Sequence, residues 1–123
     1  MNYWFLMSGG FISFLGVLIH GIIGTRIYMN DINKSDLDTL TKSLSLISWH
    51  VFTIFLFIGA VTLIIVAYNQ SLRIVAYPII IINAIGAILF VYLGLGSHKA
   101  LLKMPGAYLM ASTAIVSYLG IVL

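Results

Sequence analysis

Four long apolar runs, nearly free of charge, constrain this chain more than any other feature. They cover about 4–28, 44–68, 72–95 and 106–123. Each approaches the ~20 residues that carry a helix across ~30 Å of hydrocarbon. With 7% charged residues and a mean hydropathy of +1.15, the chain falls far below the ~25% charge of a soluble domain. The bilayer therefore has to serve as its solvent. The expected fold is all-α, a four-helix transmembrane bundle of up-down topology, with residues 1–123 forming one integral membrane domain. The polar stretch 29–43 is its one substantial loop.

Charge sets the expected orientation. Arg26, Lys34, Lys42, Lys99 and Lys103 belong to the first and third connections, whereas the second holds only Arg73. The positive-inside rule places the charged connections in the cytoplasm and both termini outside. Cations at helix ends mark topology and lipid contact, so the net charge of +3 does not imply nucleic-acid binding. The chain has no cysteine, which excludes disulfides, thiolate metal sites and thiol nucleophiles. No cleavable signal peptide is expected, because Met1–Phe5 carries no basic residue ahead of the first apolar run.

Small residues indicate how the helices should pack. Gly9, Ser13, Gly16, His20 and Gly24 recur at spacings of three and four, so they share one face of the first helix. Ser35-Asp36-Leu37-Asp38 reads as an N-cap opening the second helix before it enters the membrane. The short turn Asn69-Gln70-Ser71 predicts that helices two and three are neighbours. Pro78 is positioned to kink helix three, and Pro105 to begin helix four.

The chemistry-bearing candidates emerge from depth. His20 lies about two turns before the cytoplasmic end of helix one, and His50 about two turns after helix two enters. Both rings should lie in the cytoplasmic leaflet, with Tyr92, His98 and Ser112 approaching the same level; Thr53 follows His50 by three residues, and Asn83 is a mid-membrane amide of helix three. Ionisable groups inside a membrane are costly and are functional candidates by default. Paired imidazoles on adjacent helices can ligate haem b, hold a metal or hydrogen-bond a quinone head group. The competing expectation is that each ring, like Asn83, simply bonds a neighbouring helix and fixes packing. His98 falls at the headgroups, where packing is the better reading.

All three acids, Asp31, Asp36 and Asp38, are in the first loop, so no embedded carboxylate can drive a proton antiporter. No nucleophile–base set, H-E-x-x-H or phosphate-cradling glycine loop is present, which argues against an enzyme.

His20-Gly21 in helix one, Trp49-His50 with Thr53 in helix two, and the proline-led last helix at Pro105 resemble uncharacterised small bacterial four-span inner-membrane proteins. That resemblance implies a multi-pass location in the bacterial cytoplasmic membrane. The chain lacks the embedded glutamate of the small multidrug antiporters and the motifs of the small fluoride channels. The leading expectation is a non-enzymatic homo-oligomer or accessory subunit with a histidine site. The alternatives are a b-haem or quinone-binding redox anchor, and a small channel or transporter lined by Asn83, Thr53 and Ser112.

Overall fold

A computed structural model of the protein describes residues 1–123 and is all-helical, with no strand. Four helices are long and apolar enough to cross a membrane: α1 (Tyr3–Lys34), α2 (Thr39–Tyr68), α3 (Gln70–Leu95) and α4 (Pro105–Val122). Only 25 of 123 residues are buried, and large side chains such as Phe11, Ile54 and Ile88 are more than half exposed. In water that surface would be unstable; lipid tails solvate it, and this is the architecture of a multi-pass membrane protein.

Caps set the helix ends. The Asn2 side chain accepts hydrogen bonds from the amides of Trp4 and Phe5 at 3.0 and 3.4 Å, starting α1. That helix runs past Tyr28 to Lys34, so most of the expected loop 29–43 is helical and only 35–38 is not. The cap of α2 is Asp38 rather than Ser35. The Asp38 carboxylate accepts from the Thr41 amide at 3.0 Å and the Thr41 hydroxyl at 2.6 Å. Ser35 instead closes the preceding helix, its hydroxyl donating to the Ile32 carbonyl at 2.6 Å. α3 opens with a 3-10 stretch, Gln70–Val75, and becomes regular at Ala76. Pro78 thus falls in the first regular turn, where a missing amide proton breaks no bond. Pro105 occupies the first turn of α4, as expected.

α1 is the packing centre, with α2 on one side and α4 on another, while α3 packs against α4. Close approach requires small residues. Gly9 faces Ser117, and a Cβ there would collide with the Ser117 hydroxyl oxygen. Ser13 donates across the α1–α2 seam to the Leu56 carbonyl at 2.9 Å. The two termini are tied together by the Asn2 amide, which donates to the Gly120 carbonyl at 2.7 Å. Tyr3 donates to Tyr68 at 3.0 Å, and towards the other end of α1 Tyr28 donates to the Met104 sulfur at 3.1 Å.

α2 and α3 do not pack along their length. α2 meets the opening turn of α3 and touches little of the regular helix beyond it. Bulky Phe55, Ile58, Ile79 and Ile82 line the space between them, leaving a cleft of about 140 Å³. The short turn fixes proximity at one end only; side-chain bulk decides the rest.

Candidate functional site

From Ile19 to Met29 the backbone of α1 is π-helical. Such wide turns are rare and recur at functional sites. His20 stands at the start of this segment, half-buried against α2. Its Nδ1 is 2.9 Å from the Thr53 hydroxyl oxygen. One ring face stacks on the Trp49 indole, with centroids 4.0 Å apart and planes at 15°. Phe52 meets the imidazole edge-on at 5.0 Å. Trp49 and Thr53 are four residues apart and Phe52 lies between them, so a single face of α2 supplies the surroundings of His20.

Side chains supplement the hydrogen bonding of the wide turn. The Trp49 indole N–H donates to the His20 carbonyl and to the Thr25 hydroxyl, both at 3.1 Å. The Thr25 hydroxyl donates to the Gly21 carbonyl at 2.7 Å. Two glycines allow this proximity. A Cβ at Gly21 would lie 2.8 Å from the Thr53 methyl, and one at Gly24 would lie 2.7 Å from the Trp49 ring.

The one proton of the Thr53 hydroxyl determines what His20 can do. The hydroxyl lies 3.3 Å from the Trp49 carbonyl, to which it can donate, the usual back-bond of a helical threonine. In that state Thr53 accepts from His20 Nδ1–H, and Nε2 presents a lone pair, the form that ligates a metal. If Thr53 donates to Nδ1 instead, Nε2 carries the proton and can bond a carbonyl. Nε2 has no protein hydrogen-bond partner in either state.

The other sequence candidates are distributed differently. His50, about 100° around α2 from Trp49, is exposed and is not among the side chains that bond or stack on the His20 ring. Asn83 is 5% exposed, yet its amide donates within its own helix, to the Ile79 carbonyl at 2.9 Å, rather than bridging to another. It lines the α2–α3 cleft with Phe52 and Met110; Thr53 and Ser112 are not among the lining residues. Tyr92 is 73% exposed and lines a separate groove between α3 and α4. Ser112 and His98 are exposed. No three histidine or acidic side chains converge. Among the sequence candidates, His20 and Thr53 are the two that the structure joins by a hydrogen bond.

Sequence reading did not identify Trp49 as a donor to the turn carrying His20, nor Thr25 and Phe52 as its neighbours. Gly21 and Gly24 beside the histidine, with Trp49, Phe52 and Thr53 within one turn and a half, were the available signal. Comparison with protein-family models, curated proteins and solved structures finds no match for this chain.

Proposed function

We propose that this protein is a non-enzymatic inner-membrane subunit, homo-oligomeric or accessory to a larger complex, in which His20 is the ligand-binding residue. The carrying observation is the imidazole itself, stacked on Trp49, held through Nδ1 by Thr53, and with Nε2 left for a ligand. A ring whose role was only interhelical bonding would be satisfied by Thr53 alone. It would not require the π-helical turn and the paired glycines.

The proposed orientation is up-down, with both termini outside a bacterial cytoplasmic membrane and Arg26, Lys34, Lys42, Lys99 and Lys103 inside. The Asn2–Gly120 bond, which holds the two termini together, supports it, as does the five-to-one cation bias. His20 then lies in the cytoplasmic leaflet.

The back-bonded Thr53 favours an imidazole ligand to haem b or another metal, with Thr53 orienting the ring from behind. The opposite tautomer supports a second reading, a quinone carbonyl bonded by Nε2–H. The test is one preparation examined three ways: oxidised and dithionite-reduced optical spectra, elemental analysis, and an organic extract. We expect a chromophore, metal or quinone that is lost in His20→Ala and retained in His50→Ala. Loss in both variants would make the pair joint ligands. Identical content in wild type and His20→Ala would overturn the site. A strictly monomeric species in mild detergent, with no co-purifying subunit, would overturn the assembly.

A further inference from the structure

A second feature of the surface is independent of His20. Between α3 and α4 runs an open groove of about 500 Å³ whose lining is wholly hydrophobic, including Ile88, Val91, Tyr92, Leu102, Tyr108 and Ala111. The groove ends at the connection between the two helices, where Lys99–Lys103 forms a 3-10 turn. Leu102 anchors that turn on α3: a Cβ at Gly94 would lie 2.6 Å from the leucine side chain. Tyr108 fixes it from α4, its hydroxyl donating to the Leu102 carbonyl at 3.0 Å.

In a 3-10 turn, residues three apart eclipse each other, so Lys99 stands on the Leu102 face that closes the groove. Lys103 follows Leu102 in the same turn, about a third of a turn round from that face, and both lysines are exposed. No carboxylate side chain is available along this part of the chain, since residues 39–123 contain neither Asp nor Glu. An apolar channel leading to two exposed lysines on a segment that carries no acids, at the depth of two tyrosine rings, matches a lipid with an anionic head. Juxtamembrane cations and basic pockets between spanning helices recognise such heads.

We propose that this groove is a binding site for one anionic phospholipid, with an acyl chain along Ile88, Val91 and Ala111 and the phosphate held by Lys99 and Lys103. A zwitterionic lipid fits the same channel but gains less from the lysines, so the site discriminates by head charge.

The test is native mass spectrometry of the full chain extracted in mild detergent and titrated with phosphatidylglycerol or phosphatidylcholine of identical chains. Wild type should retain phosphatidylglycerol preferentially. Removing each lysine should weaken that preference roughly fivefold, so Lys99→Gln/Lys103→Gln should approach parity. Lys34→Gln/Lys42→Gln changes the net charge equally, away from the groove, and should keep the preference. Ile88→Trp, at an exposed position that tolerates bulk, should reduce retention of both lipids by filling the channel. Equal retention of the two lipids by wild type would overturn the site. Equal losses in the two double variants would reduce it to diffuse attraction, and unchanged retention in Ile88→Trp would remove the chain from the groove.

Discussion

Between Tyr3 and Leu18, α1 is a regular α-helix that buries Leu6, Gly9, Gly10, Ser13 and Gly16, whereas between Ile19 and Met29 it is π-helical and buries only Gly24 and Met29. The first half packs by removing side chains, so that α2 and α4 can approach its backbone. It even tolerates an imperfection, because the Ser117 hydroxyl is buried there without a hydrogen-bond partner. The second half recruits specific side-chain donors: Trp49 and Thr25 bond its carbonyls, and Thr53 meets its imidazole. Shape holds one half in place, and directional bonds define the other. Fold and candidate site thus occupy one helix without sharing residues.

The largest expected effect falls on the shape-governed half. Gly9→Ala places a methyl against the Ser117 hydroxyl, and overpacking of this kind costs about 1–3 kcal/mol. Ser117→Ala alone should be neutral or slightly stabilising, because it deletes an unpaired buried polar group. Combined with Gly9→Ala, it should recover most of the loss, since the Ser117 Cβ would be 3.3 Å from the new methyl. Unfolding in detergent micelles measures the cycle. Additive effects of the two substitutions would show that Gly9 is not there to accommodate Ser117.

Within the bond-governed half the expected cost is smaller but the chemical consequence greater. Thr53→Val preserves side-chain shape and removes the partner of His20 Nδ1. Side-chain hydrogen bonds between membrane helices average about 0.6 kcal/mol, so unfolding should shift little. The nitrogen-15 shifts of His20 should change clearly as the imposed tautomer is lost. A stability loss matching that of Gly9→Ala would erase the distinction between the halves. An unchanged tautomer would show that Trp49 alone orients the ring.

Sequence made the shape-governed half legible and the other only in part. Hydrophobic run length locates four helices, and glycine spacing picks out Gly9, Ser13 and Gly16, because both depend on residues near in sequence. Depth along the helices brought His20 and His50 to one level, but the side chain that bonds His20 is Thr53, one turn further along α2. Depth alone could not show that Thr53 rather than His50 meets the ring, because that depends on which face of α2 is turned towards α1. Nor does hydropathy encode the π-helical turn, which shifts the azimuth of everything after it. The open α2–α3 seam was equally hidden: a short turn sets distance at one end, but Phe55, Ile58, Ile79 and Ile82 keep the helices apart. Asn83 therefore lines a cleft where an interhelical bond was expected.

The smallest effect tests whether the site half depends on the polar link beyond it. The Thr41 hydroxyl, with help from the Thr41 amide, holds the Asp38 carboxyl below the usual carboxylate range. A pKa lowered by folding means the charged form belongs to the folded state. The contribution of the cap is therefore complete above the unfolded carboxyl's pKa and disappears as pH falls through the lowered folded value. The amide protection factor of Thr41 should decline over that acidic window. Asp38→Asn should retain a cap while abolishing the pH dependence. The indole N–H of Trp49, ten residues along α2 and bonded to α1, should stay protected throughout. If Trp49 instead loses protection along the same curve as Thr41, the histidine environment is held by the exposed end of α2, and the π-helical half of α1 is not an independent unit.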